Sequence, residues 1–191
     1  MENPTPPAKE GNPLTHVMID LETLGTTVDT VILSIGAIRF DPETFAVAKR
    51  RFYMLLTIEP QLQLGRTISA DTLRWWLRVG DKGRNAITDE GQPRHHIRDM
   101  LTHLQQYLEG VEGVWGNGAS FDNAILEHAS SKMDIELWPF WANRCFRTFT
   151  NQFDPERELR EKSNDHHALG DCWNQLRWMR RICKERGAIV R

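Results

Sequence analysis

The sequence predicts an α/β domain in which a mixed β-sheet is flanked by α-helices. Three observations predict it: strand-length apolar runs crowd the N-terminal third, the hydrophobic period becomes helical after Ser69, and short strand-like runs then alternate with helical stretches. With 191 residues, 40% of them hydrophobic and 26% charged, the chain can bury one sizeable core. A single domain over residues 14–191 is expected, preceded by a flexible tail over residues 1–13 in which Pro4, Pro6, Pro7, Gly11 and Pro13 interrupt any regular element.

Val17 to Leu21 is a short apolar run that ends among acids, and Val31 to Phe40 is a longer one carrying Ile32, Leu33, Ile35, Ala37, Ile38 and Phe40. Both read as strands. Asp41-Pro42-Glu43 supplies a turn before a third strand near Phe52 to Ile58, which predicts an antiparallel meander. Ser69-Ala70-Asp71 is a helix start, with Leu73, Trp76 and Leu77 at helical spacing behind it. Adjacent helical residues diverge, so at least one of Trp75 and Trp76 is expected in the core. After Pro93, Ile97, Leu101, Leu104, Tyr107 and Leu108 form one apolar stripe of a longer helix. A brief strand at Val114 to Gly116, a helix from Phe121 to Ser130, a strand within Arg144 to Thr148 and a closing helix from about His167 to Glu185 complete the series.

Composition excludes several classes. No apolar run is long enough to span a bilayer, and no basic segment with an apolar stretch opens the chain, so a cytoplasmic protein is expected. Cys145, Cys172 and Cys183 form no CxxC pair, which fits reduced thiols. A net charge of −2 does not mark a nucleic-acid binder, yet positive charge is concentrated at Lys49, Arg50 and Arg51 and along Arg177 to Arg191. Each cluster, taken alone, also fits a solvated face.

Three short motifs carry candidate chemistry. Asp20 and Glu22, two apart on the first strand, project from one face about 6.5 Å from each other, so both carboxylates can reach a common cation. Solvated turn acids would look the same. Trp115-Gly116-Asn117-Gly118-Ala119-Ser120-Phe121-Asp122 leaves a strand through a small-residue loop and puts Asp122 at a helix start, where the helix dipole favours a carboxylate. Capping alone explains that placement equally well. In Asp165-His166-His167-Ala168-Leu169-Gly170-Asp171, five residues separate His166 from Asp171, at most about 7.5 Å along a helix axis. Asp165 and Asp171 read alternatively as ordinary acids of a first helical turn.

Taken in order, Asp-x-Glu on a first strand, Phe-Asp opening a mid-chain helix and His-x-x-x-x-Asp near the C-terminus resemble the DEDDh (DnaQ-like) 3′-to-5′ exonucleases. The resemblance spans residues 14–186, and Ile68-Ser69-Ala70-Asp71-Thr72-Leu73-Arg74-Trp75-Trp76-Leu77 is similar to a bacterial and phage exoribonuclease subgroup that includes at least one DNA exonuclease. It implies a ribonuclease H-like fold and removal of nucleotides from the 3′ end of single-stranded or 3′-overhang nucleic acid, RNA before DNA. It further implies two Mg²⁺ or Mn²⁺ ions on Asp20, Glu22, Asp122 and Asp171, with His166, by its spacing to the last acid, as general base. Leu21, Thr23 and Leu24 are implied at the terminal nucleotide, with Leu24 packing on the base, and Asn117, Phe121 and Arg147 are further candidates for substrate binding. Related exonucleases are often homodimers, and the exposed part of the Trp-rich region offers such an interface, but the oligomeric state stays open at this point.

Two readings compete with RNA hydrolysis: a DNA-specific exonuclease, and a non-catalytic nucleic-acid-binding module on the same fold. All five motif positions are filled, which speaks against the second. A serine or cysteine hydrolase fits less well, because Ser120 lacks a Gly-x-Ser-x-Gly elbow and no Cys neighbours a motif histidine in sequence.

Overall fold

A computed structural model describes residues 14–79, 92–161 and 166–190. The expected N-terminal tail and Asp165 lie outside the described residues. Six strands, β1 (His16–Thr23), β2 (Ile32–Phe40), β3 (Phe52–Leu56), β4 (Arg94–His95), β5 (Gly113–Gly116) and β6 (Asn143–Cys145), form one sheet in the order β4-β3-β2-β1-β5-β6. The expected meander is there: β1 pairs antiparallel with β2, and β2 with β3. On the other side β1 pairs parallel with β5, and β5 with β6, so the sheet is mixed.

Alternation along β1 divides its side chains between two cores. Val17, Ile19 and Leu21 enter the larger one with Ile125, Leu126 and the apolar stripe of Ile97, Leu101 and Leu104. Met18 enters the other with Phe146, Cys172, Leu176 and Met179. Asp20 and Glu22 share the face of Met18. In β2 the register slips by one residue, because Glu22 lies opposite Ser34 while Thr23 lies opposite Ile32. Ile32 therefore joins Ile35 and Ala37 in the larger core, and the extra residue, Leu33, packs with Leu24, Val31 and Trp76.

The helices, in chain order, are α1 (Glu59–Gln63), α2 (Ala70–Arg78), α3 (Ile97–Tyr107), α4 (Asp122–Ser131), α5 (Phe146–Phe153) and α6 (Ala168–Arg186), with a 3₁₀ turn at Phe140–Ala142. Ser69 caps α2, its side chain accepting from the Thr72 N–H, as the sequence predicts. Two expectations change. The third strand ends at Leu56, and Pro60 opens the short α1, whose buried Gln61 bonds both backbone groups of Ile32. The strand expected within Arg144 to Thr148 ends at Cys145, where the thiol caps α5 by accepting from the Thr148 N–H, and Phe146, Phe149 and Thr150 turn one helical face inward.

α6 lies directly on the sheet at Gly36, the residue opposite Asp20 in the β1–β2 register. A Cβ there would collide with the Leu169 N–H and the Ala168 carbonyl carbon, so only glycine admits the helix at this depth. The Cys172 thiol, buried beneath, donates to the Gly36 carbonyl at 3.3 Å.

Candidate active site

β1 and α6 bring three of the predicted acids together. Carboxylate oxygens of Asp20, Glu22 and Asp171 lie within 4.8 Å of one another, a spacing a cation can bridge. Asp122, in the first turn of α4, approaches from the neighbouring strand end: its Oδ1 accepts from the Leu21 N–H at 3.2 Å, and its buried Oδ2 has no hydrogen-bond partner among the described residues. Gly116 permits the approach, since a Cβ there would strike the Asn123 Oδ1 and come within 2.9 Å of the Asp122 Cβ.

Such a cluster is electrostatically costly by itself. Burial, then the charges of Asp122, Glu22 and Asp171, push the Asp20 carboxyl well above the usual carboxylate range. Burial and the charges of Asp171 and Asp122 raise Glu22 to about 8. Burial lifts Asp122 to about 7, although hydrogen bonds from backbone amides oppose the rise. An orphaned buried oxygen beside carboxylates whose charged forms are disfavoured by burial and by their neighbours suits hard, oxygen-loving cations. The donor set is all oxygen, which suits hard divalent cations, and it contains no thiolate.

His166 and His167 are separated by their surroundings. His167 caps α6, its Nδ1 accepting from the Gly170 N–H at 3.3 Å, and its ring stacks on Tyr53 at 4.5 Å. His166, at a φ of 43°, turns the other way and lines the cleft that holds Asp20 and Asp171. Its ring meets Trp75 edge-on at 5.0 Å.

Two depressions adjoin the acids. A groove on the Glu22 side is lined by Leu21, Thr23, Trp75 and Phe121. A cleft of about 340 Å³ on the Asp20 side is lined by Asn117, Arg147, Arg157, Arg160 and Gln175. Of the residues expected at a terminal nucleotide, Leu21, Thr23 and Phe121 thus border the first, and Asn117 and Arg147 the second, joined by a 2.8 Å bond from the Arg147 guanidinium to the Asn117 carbonyl. Leu24, expected to pack on the base, is 1% exposed and packs with Val31, Leu33 and Trp76.

Gln175, Arg157 and Arg160 lie outside the sequence motifs yet line the cleft. Gln175 follows Asp171 by four residues, one helical turn, and its amide donates to the Asp20 Oδ1 at 2.7 Å. That spacing could have flagged it. Arginines of the basic closing helix, by contrast, are engaged away from the acids: Arg181 with Glu161 and Glu185, and Arg186 with Glu158. In the other cluster, Arg51 lies 4.7 Å over the Trp173 ring.

A family model described as a 3′-5′ exoribonuclease Rv2179c-like domain matches residues 15–183. No curated protein matches the sequence. Among solved structures, the nuclease domain of 3′hExo, a DEDDh family member bound to rAMP, aligns at a TM-score of 0.55 and 12% identity over 92% of this chain and 96% of that one. The RNase domain of the yeast Pop2 protein aligns at 0.60 and 12% identity, covering 90% and 77%. Cell-death related nuclease 4 aligns at 0.57 and 16% identity over 88% of this chain, which spans 63% of the length of that nuclease. The fold is ribonuclease H-like.

Proposed function

From the premise that the chain belongs to the Rv2179c-like 3′-5′ exoribonuclease domain family, and is therefore a hydrolytic nuclease, we propose that it removes nucleotides from the 3′ end of single-stranded or 3′-overhang RNA by two-metal-ion hydrolysis. The observation that carries this reading is the convergence of Asp20 and Glu22 from β1 with Asp171 from α6, their oxygens within 4.8 Å. Asp20, Glu22, Asp122 and Asp171 would hold two Mg²⁺ or Mn²⁺ ions. Once bound, these would yield a nucleophile from water at neutral pH and offset charge on the attacking and leaving oxygens. Gln175 fixes one oxygen of Asp20. His166, free of the capping duty that occupies His167, accepts the proton of the attacking water. Leu21, Thr23 and Phe121, with Trp75 beside them, form the wall against which the terminal nucleoside rests.

The test is digestion of 5′-labelled RNA and matched DNA with Mg²⁺, Mn²⁺ or a chelator. Ladders shortening from the 3′ end are expected, abolished by the chelator. Asp20→Ala should bring the rate close to that seen with the chelator, and His166→Ala should lower it roughly 10²–10⁴-fold. Chelator-resistant cleavage defeats the metal reading; cleavage of DNA alone moves the substrate to the DNA alternative. A homodimer belongs to the same proposal, supported by Leu73 and Leu77, exposed one turn apart on α2, and light scattering of the purified chain should give twice the chain mass. No helix among the described residues is long and apolar enough to cross a membrane.

A further inference from the structure

The segment 154–161 that follows α5 is held by a buried acid that has no part in the acid cluster. Asp154, 1% exposed, accepts from the Glu158 N–H at 3.2 Å, the Leu159 N–H at 3.1 Å and the Trp178 indole N–H at 2.7 Å. Leu159 is buried in the core beneath α6. The turn so pinned places Arg157 at a φ of 56°, an unfavourable conformation for a residue with a Cβ. Non-glycine strain of this kind persists where surrounding contacts over-determine it.

The loop also sorts its charges. Glu158 pairs with Arg186 and Glu161 with Arg181, both on α6. Arg157 and Arg160 instead line, together with Arg147, the cleft that contains Asp20, Asp171 and His166. Neither has a carboxylate partner among the described residues, and the Arg160 guanidinium lies 5.6 Å over the ring of Trp178, the residue that also anchors Asp154. Glu161 borders the same cleft, but its carboxylate faces Arg181.

We infer that Arg157 and Arg160, with Arg147, form a phosphate track for the strand on the 5′ side of the scissile bond, and that Asp154 is its positioning residue. The inference rests on the exonuclease reading for polarity: the apolar groove at Leu21 and Trp75 suits one terminal nucleoside, which leaves the cationic cleft to the rest of the strand. Two divalent ions would do no more than balance four carboxylates and would act at the scissile phosphate alone, so the remaining phosphates need cations elsewhere, which these arginines supply in a chain of net charge −2.

The experiment compares the native chain with Arg157→Ala, Arg160→Ala, the double variant, Asp154→Asn and, as a charge-matched control, Arg180→Ala on the exposed side of α6. Fluorescence anisotropy with labelled RNA in Ca²⁺ reads binding at several salt concentrations; Mg²⁺-dependent hydrolysis is read on RNAs from dinucleotide to dodecamer. The double variant should bind the dodecamer roughly 10-fold more weakly at low salt, and the slope of log affinity against log salt should fall by about 0.7 per arginine removed. Its kcat/KM should drop more on the dodecamer than on the dinucleotide, through KM, and Asp154→Asn should follow in the same direction. An unchanged salt slope, a loss equal on both lengths, or a loss matched by Arg180→Ala overturns the track. If Asp154→Asn unfolds, the exposed arginine variants still decide. Absence of hydrolysis by the native chain in any metal sinks the nuclease reading while leaving the binding slopes to judge the track by themselves.

Discussion

Glu22 gives the acid cluster a measurable signature. Its folded value of about 8 stands above the ordinary 4.5, so the stabilisation it contributes is complete below about 4.5 and is lost as pH rises through 8. Asp20 is shifted in the same direction and adds to the trend. Metal-free protein should therefore lose melting temperature between about pH 4.5 and 8. At the upper end of that window, Mn²⁺ at a hundredfold excess over its Kd should restore about 2.7 kcal/mol, or roughly 5–10 °C in a chain of this size. Asp20→Asn should flatten the pH trend and abolish the metal response; differential scanning fluorimetry with and without chelator reads both. Asp20 and Glu22 were legible because a strand period of two puts them on one face, whereas Asp122 and Asp171 were picked out by the order of the motifs. The packing of Leu24 against Leu33 and Val31 was not legible, because a register slip in β2 leaves no trace in the residues of β1.

At the level of elements, α6 owes its depth to Gly36, and the Asp20–Asp171 distance depends on that depth. Gly36→Ala should force the helix outward, costing about 1–3 kcal/mol by urea unfolding, and should weaken metal binding beyond what the stability loss explains. Unaltered metal affinity in a destabilised variant would detach the helix seat from the site. The two tryptophans of α2 should part company similarly. Trp76, 1% exposed with its indole donating to the Thr23 carbonyl at 2.8 Å, should cost about 3–5 kcal/mol as alanine. Trp75, 43% exposed at the groove, should change stability by no more than about 0.5 kcal/mol, while its loss should raise KM about 10-fold if a base stacks there. Periodicity revealed most elements, but β4, of two residues, and α1, of five, are too short to show a period. The start of α5 was readable in Phe146, Phe149 and Phe153, whose spacing of three and four is helical.

Across the whole molecule, charge is arranged by fold more than by sequence. The basic run that closes the chain looks like a nucleic-acid surface when read linearly, yet Arg181 and Arg186 brace a loop, and the cleft takes its cations from Arg147, Arg157 and Arg160. Nothing local announces Arg157 as a cleft residue. Its direction depends on Asp154, which depends in turn on Trp178 from the following helix.

The slip in pairing between Glu22 and Thr23 divides the chain into a part that tolerates length change and a part that does not. One residue inserted between His16 and Glu22 would rotate an acid onto the opposite side of the sheet, into hydrocarbon, and end activity in that lineage. Beyond Thr23 the pairing has already been reset, so descendants can lengthen or shorten the stretch toward Thr30 and remodel the rim of the groove while the acids stay where they are. Variation among relatives should accordingly gather just after this point and be nearly absent just before it.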